Sequence, residues 1–482
     1  MNNYPFREEQ PMKKRILAAV VAAAAVMSLA GCNDNNTSSG ASTPANSTGG
    51  DASTPATDNS TPDVTPATDL TDEDNTLSIG VWGDNGDINH LIEFFKEQSG
   101  TSVEVKMVDC GQGGEAAREQ YTKILAADST TDCDIIICDT DWVRNYVESS
   151  EFTIPLADLG ITAADYADAY GYTIDAGTDN NGVLKAASFQ ATPGAFFYRA
   201  DLADQYLGVK SVDEMQAKVK DWDTFKATAK ELADASNNAC ALACTEGGLW
   251  QVFQCNRSKA WVVDNKLEMD NAEEFMDFVK ELYDAKGVTD APQWDDAWYS
   301  YVQDGKALGD FAPTWGLTGL TGSILGDMAS ESHRDDAAYL SLCDGPQGWY
   351  WGGSYFCATN KCNTKKTAAE FIRFYTVNKD SMKGYSEKYG DFMNNKSAMN
   401  EIISAGTTKN PSLVGGQDHF AILSKTVGNI DLKDKLTVYD SKIKGLFNDS
   451  TKKYMQGDLD KQAAIDEFKN EVRAAFPDLT VE

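Results

Sequence analysis

The stretch from Leu77 to Cys138 constrains the fold most. Leu77, Ile79 and Val81 alternate with Ser78 and Gly80, the period-2 pattern of a strand. Ile88, Leu91, Ile92 and Phe95 then recur at i, i+3, i+4 and i+7, one apolar face of a helix that Gly100 is placed to stop. Val103, Val105 and Met107 make a second strand, and Tyr121 to Ala127 closes a second helix. Ile135-Ile136-Ile137-Cys138 is a continuous apolar run, as expected of a strand covered on both faces. Strand–helix–strand–helix–strand predicts an α/β unit with parallel strands, since parallel neighbours need a crossover and helices supply it. Ligands of such sheets sit outside the carboxyl ends of the strands. Trp82 to Asp87 and Asp139-Thr140-Asp141-Trp142 fall there, so Trp82, Asp84, Asp139, Asp141 and Trp142 are candidates for ligand contact.

A chain of 482 residues is too long for one core, so a second lobe is expected. Val183 to Phe189, Thr192-Pro193-Gly194 and Ala195 to Tyr198 read as strand, break and strand, a first crossing between lobes. Asp221 is placed to cap a helix that buries Trp222, Phe225, Ala229 and Leu232. Glu246-Gly247-Gly248-Leu249-Trp250 reads as a loop able to offer Trp250 to a ligand. Asn271 with Glu274 has the form of a capping box. Gly305 to Gly316 reads as a short strand ending in an aromatic loop that carries Trp315. Gly348-Trp349-Tyr350-Trp351-Gly352-Gly353 leads into a strand over Ser354 to Thr359. Three adjacent rings cannot all face one core, because successive strand side chains alternate. Trp349 and Trp351 are therefore cleft candidates, beside glycines that let the backbone turn or a ligand approach.

The amino terminus reads as a targeting segment. Lys13-Lys14-Arg15, the apolar run Ile16 to Met27 and Leu29-Ala30-Gly31-Cys32 follow in the order of a bacterial export signal. The last four residues resemble a lipobox, whose cysteine thiol takes the lipid, so Cys32 is the expected lipidation site; a plain secretory signal is the alternative. Asn33 to Asn75 holds no Lys, Arg or aromatic residue and repeats Thr-Pro. It cannot bury enough to repay its ordering entropy and reads as a tether with a reach of about 35 Å. The 42 basic and 74 acidic residues give a net charge of −32, which argues against nucleic acid and against an anionic lipid surface. Nine cysteines remain beyond Cys32, an odd number that leaves at least one unpaired. Cys357–Cys362 and a pair among Cys240, Cys244 and Cys255 are near enough in sequence to bridge, while Cys138 reads as a small core residue.

Six segments in order carry a resemblance. They are Val81-Trp82-Gly83-Asp84, Cys133-Asp134-Ile135-Ile136-Ile137, Gly194 to Asp201, Trp222-Asp223-Thr224-Phe225, Gly305-Lys306-Ala307 followed by Trp315, and Gly352-Gly353 followed by Ala368-Ala369-Glu370-Phe371-Ile372. Together they resemble the extracellular solute-binding proteins of bacterial ABC importers, in the carbohydrate-type, maltodextrin-binding-protein-like class. The resemblance covers roughly residues 76–482. It implies an α/β, two-lobe fold, each lobe a mostly parallel sheet flanked by helices, with the ligand cleft between them. Lobe one is then 76–190 plus 352–401, and lobe two 191–351 plus 402–482, after a signal over 1–32 and a tether over 33–75. It implies that Asp84, Asp141, Glu246, Trp315, Trp351 and Tyr439 contact a sugar, whose C–H faces stack on rings and whose hydroxyls pair with carboxylates. After the third strand the chain departs from the maltodextrin binder, having Cys138-Asp139 in place of a ring, with Trp142 nearby.

The expected role is therefore capture of a sugar or oligosaccharide by a monomeric, lipid-anchored binder that hands it to permease subunits of an importer, with no cofactor, metal, nucleic acid or catalysis. A binder of another solute such as a polyamine, and a surface polysaccharide-active enzyme or adhesion module, are the alternatives. The chain has no Gly-x-Ser-x-Gly or His-Glu-x-x-His, and only three histidines, which poorly supplies a triad or a histidine metal site.

Overall fold

A computed structural model describes residues 66–83, 86–111, 113–317, 340–410 and 413–482. Asp84, Cys32, the signal and the tether up to residue 65 lie outside the described residues. In chain order the strands are β1 (Thr76–Val81), β2 (Glu104–Asp109), β3 (Ile135–Asp139), β4 (Ala186–Ser188), β5 (Gly194–Arg199), β6 (Ala241–Ala243), β7 (Val262–Val263), β8 (Lys266–Leu267), β9 (Ala307–Pro313), β10 (Leu340–Cys343) and β11 (Ser354–Ala358). One sheet has the order β2-β1-β3-β11-β4, a second the order β10-β5-β9-β6, and β7 with β8 forms a small ribbon.

The first three strands form the parallel unit expected, β1 lying between β2 and β3. Around it the sheet becomes mixed. β11 runs antiparallel to both β3 and β4, and Ser354 stands opposite Asp139. In the second sheet β5 is antiparallel to β10 and to β9, and only β6 joins β9 in parallel. The expectation of mostly parallel sheets is corrected here. β5 and β11 are entered directly from the other sheet, through residues 189–193 and 344–353, and no crossover helix forces them parallel.

Two apolar clusters organise the molecule. The first includes Leu77, Ile79, Val81, Ile135, Ile137 and Phe371, and the second Phe196, Phe225, Leu249, Phe275, Phe311 and Phe447. β5 serves both, since Phe197 packs in the first and its neighbours Phe196 and Tyr198 in the second, as strand alternation requires. The Trp222–Ala235 helix is capped by Asp221, which accepts the Thr224 N–H at 2.7 Å. Asn271 begins the Ala272–Asp284 helix without capping it; its amide donates to the Phe253 carbonyl at 3.3 Å instead.

All nine described cysteines are free thiols. Cys357 faces Cys138 of the adjacent strand, Sγ to Sγ 3.9 Å, rather than bridging to Cys362, and both are fully buried. Cys138 is thus a small core residue.

The crossings pack on each other. Gly194 donates to the Trp349 carbonyl at 3.0 Å, and a Cβ placed on Gly194 would stand 2.0 Å from the Trp349 ring. We predict that Gly194→Ala costs about 1–3 kcal/mol or more by overpacking, and that the loss shrinks in a Trp349→Leu background, since touching sites are non-additive. Urea unfolding of the four proteins of the cycle checks this; additive losses would show that the ring does not set the constraint.

Candidate functional site

The site is assembled where β3 ends and β11 begins. Gly352 and Gly353 have φ of +74° and +113°, conformations that favour glycine. Thr140 donates its hydroxyl to the Gly352 carbonyl at 2.6 Å, Thr192 donates to the same oxygen at 2.9 Å, and the Thr140 N–H donates to the Gly353 carbonyl at 3.1 Å. The turn leaves no room for a side chain. A Cβ on Gly352 would stand 3.2 Å from Asp139 Oδ2 and 3.4 Å from Trp315 Nε1. Asp139, from the first sheet, and Trp315, just past the end of β9 of the second, therefore flank the same glycine.

Four indoles gather there. Trp315, in the 3-10 turn Thr314–Leu317 after β9, donates its N–H to the Trp351 carbonyl at 3.0 Å, and the two rings meet edge-on at 5.2 Å. Trp294 meets Trp351 edge-on at 5.6 Å and lies nearly parallel to Trp315, 9° apart with centroids at 6.4 Å. Trp298 backs the group, edge-on to Trp294 at 4.8 Å and 6.4 Å from Trp351. Trp294 is 49% exposed and has φ of +75°, an uncommon conformation for a bulky residue. The sequence reading missed Trp294 and Trp298. Their signal was Pro292 and a tryptophan pair four residues apart, in a segment between the Ala272–Asp284 helix and the strand after Gly305.

The carboxylates differ in how they are satisfied. Asp139 accepts the Asp141 N–H at 2.8 Å. Burial first, then the neighbouring Asp141 charge, pushes its carboxyl up to about 7. Asp141 forms an ion pair with Lys444 of the Asp440–Gln456 helix, and Asn145 donates to the Val438 carbonyl at 3.2 Å. These contacts join the end of β3 to a helix packed in the second core. Beside them is a cavity of about 50 Å³, lined by Thr140, Asp141, Arg257, Tyr350, Asp440 and Lys444 among others, with room for waters only. Glu246 is buried, 3.6 Å from Lys452, and burial raises its carboxyl above the usual range. Its helix start abuts the tryptophan group, because a Cβ on Gly247 would stand 2.8 Å from the Gln293 amide oxygen. Among the described residues no cluster of His, Cys, Asp and Glu has the arrangement of a metal site.

Other candidates fall elsewhere. Trp250 is 1% exposed, its ring against Phe447 at 4.6 Å and Phe275 at 4.9 Å. The expected loop is in fact the helix Glu246–Phe253, capped by Thr245, and it turns Trp250 inward. Trp349 is wholly buried in the second core against Phe311, not at a cleft. Tyr350, one residue on, points the opposite way, onto Tyr172 at 5.3 Å. Trp142 is buried among Tyr121, Tyr146 and the half-buried Trp82, in the first apolar cluster. Tyr439 packs on Phe476, the two rings nearly perpendicular with centroids at 5.0 Å. Asp139, Trp315 and Trp351 are thus brought together, with Asp141 beside them.

The family model for bacterial extracellular solute-binding proteins matches residues 90–414. No curated protein sequence matches the chain significantly. Among solved structures, an extracellular solute-binding protein of family 1 superposes with a TM-score of 0.70 at 17% identity, over 83% of this chain and 99% of the other. The ABC-transporter-associated binding protein of B. animalis subsp. lactis Bl-04, solved with β-1,6-galactobiose, gives 0.61 at 18% identity over 85% and 99%. The galacto-N-biose/lacto-N-biose I-binding protein of the ABC transporter from Bifidobacterium longum gives 0.61 at 14% identity over 84% and 98%. These likenesses establish the two-lobe fold. With the family model spanning well over half of its length, the chain belongs to the bacterial extracellular solute-binding proteins.

Proposed function

We propose that this protein captures a sugar or oligosaccharide between its lobes by hinge closure and delivers it, chemically unchanged, to the permease of an ABC importer. The observation that carries the reading is the juxtaposition of Trp294, Trp315 and Trp351 with the Asp139 carboxyl at the turn between sheets. Indole faces accept the C–H faces of a pyranose, and a carboxylate accepts its hydroxyl protons. The binding proteins of similar fold that were solved with galactobiose and lacto-N-biose support a carbohydrate. The protein acts as a monomer tethered outside the membrane by lipid on Cys32, a reading supported by the order of charge, apolar run and Leu-Ala-Gly-Cys. Metabolic labelling with a radiolabelled fatty acid should mark the wild type and not Cys32→Ala; equal labelling would discard the anchor.

Calorimetry against a panel of oligosaccharides and against spermidine tests the ligand class. Binding of spermidine alone would overturn the carbohydrate reading. For a saccharide that binds, Trp351→Ala and Trp315→Ala should each weaken affinity by about 1–3 kcal/mol, and unchanged affinity in a folded variant would remove that ring from the site.

Affinity should also follow pH. Sugar hydroxyls donate to the ionised form of Asp139, whose carboxyl stands raised to about 7, so protonation competes with ligand. Affinity should be roughly tenfold weaker at pH 6 than at pH 8, on the scale of one proton per pH unit. Asp139→Asn should bind more weakly at pH 8 and lose most of the slope. A slope that persists in that variant would assign it to another group.

A further inference from the structure

Asp310, in β9, is a carboxylate that neither the ion pairs nor the turn at Gly352 use. It is 2% exposed, and no lysine or arginine pairs with it among the described residues. Its Oδ2 accepts the indole N–H of Trp298 at 2.7 Å, and its Oδ1 accepts the Phe311 N–H at 2.9 Å. The start of the Glu246–Phe253 helix lies against it, since a Cβ on Gly248 would stand 3.1 Å from Oδ1. Burial pushes the carboxyl up to about 7, so this side chain is held in place against a real cost. An apolar residue in β9 would avoid that cost.

The contrast with other tryptophans shows what the cost secures. Trp250 and Trp349, which pack in the second core, have buried indole N–H groups without a hydrogen-bond partner among the described residues. Packing alone fixes them. Trp298 is equally buried, yet its N–H, a donor only, is matched to a carboxyl oxygen at a short distance. Trp298 is also the ring on which the exposed Trp294 rests edge-on, and it touches Trp351.

We propose that Asp310 is a positioning residue for ligand capture: it fixes Trp298 through the indole N–H, and Trp298 sets the orientation of Trp294 and Trp351. This rests on the tryptophan group being the ligand-binding wall. A hydrogen bond to a carboxyl oxygen adds direction where packing adds only contact, and a wall that stacks on a ring has to hold its tilt.

The test compares Asp310→Leu, Asp310→Asn and Trp298→Phe in the full-length chain. Near-ultraviolet circular dichroism and the exchange rate of the Trp298 indole proton, assigned by its loss in Trp298→Phe, are read without any ligand. Asp310→Leu should alter the tryptophan bands and speed exchange at least tenfold. Asp310→Asn, which keeps one acceptor oxygen, should fall between it and wild type. Calorimetry with neutral di- and trisaccharides should then show affinity about tenfold weaker in Asp310→Leu and less affected in Asp310→Asn, the scale of one hydrogen bond. Unchanged tryptophan bands and indole exchange in a folded Asp310→Leu protein overturn the proposal. Altered bands in a protein whose wild type binds none of the saccharides uphold the link from Asp310 to the wall and discard the carbohydrate reading instead. Should Asp310→Leu not fold, Trp298→Phe decides: wild-type affinity and an undisturbed Trp294 and Trp351 signature there overturn the proposal, and a matching loss supports it.

Discussion

Where the chain passes from the second sheet to the first, one carbonyl oxygen, that of Gly352, takes hydroxyl protons from both Thr140 and Thr192. Thr140 stands at the end of β3 and Thr192 in the other crossing, so the shared acceptor ties together three segments that sequence separates by 52 to 212 positions. The tie works only because residues 352 and 353 are glycine. Both lie at positive φ, and a Cβ on Gly353 would stand 3.0 Å from the Thr140 hydroxyl. Trp351 precedes the turn and stays with the other indoles. Ser354 follows it and pairs with Asp139 of the first sheet. The juxtaposition of ring and carboxylate is a consequence of this backbone turn, not of attraction between them.

Electrostatics around the turn are settled one group at a time. A net charge of −32 is spread over the whole chain and says nothing of the groups at the turn. Asp141 has Lys444 and Glu246 has Lys452, whereas among the described residues Asp139 has only the Asp141 N–H and the weaker pull of Lys444 to set against its burial and a neighbouring charge. Asp440, the first residue of its helix, accepts the Thr437 N–H at 2.9 Å and is likewise pushed up by burial, to about 6. A carboxyl raised in this way is one on which an incoming donor has the most effect, because the ligand replaces water that burial has removed.

The parallel unit over β1, β2 and β3 was legible in the sequence because its apolar periods, 2 and 3.6, belong to residues whose burial is decided locally. The crossing at Thr192-Pro193-Gly194 and the turn at Gly352-Gly353 were legible for a different reason: Pro and Gly act on the backbone itself. Side-chain placement in the site was only partly legible. Trp250 misled because Gly247-Gly248 suggests a loop, yet Thr245 caps a helix there and two glycines in its first turns do not stop it. Trp349 and Trp351 carry the same residue type two positions apart, and strand alternation alone gives them the same face. What separates them is Gly194, whose missing side chain lets the Trp349 ring into the core. Trp294 was invisible because its position depends on Trp315 and Trp351, residues 21 and 57 positions later that only the fold brings near.

The distribution of groups between lobes bears on how capture is coupled to closure. Trp315 follows β9 of the second sheet and Asp139 ends β3 of the first, so a guest touching both favours the arrangement that brings them together by its differential affinity. The lobes already share the Asp141–Lys444 pair and the bond from Asn145 to the Val438 carbonyl. Both are partly exposed, and contacts of that kind contribute only about 0–1 kcal/mol each. Moving a two-state equilibrium from 1:99 to 99:1 takes about 5.5 kcal/mol. Taken at about 2 kcal/mol each, the middle of their ranges, two stacked rings and one charge-assisted hydrogen bond reach that figure together, whereas neither set does so alone. On this arithmetic a guest that met the indoles without Asp139 would bind one lobe and leave the other where it was. Closure would then report the presence of both a stacking face and a correctly placed hydroxyl.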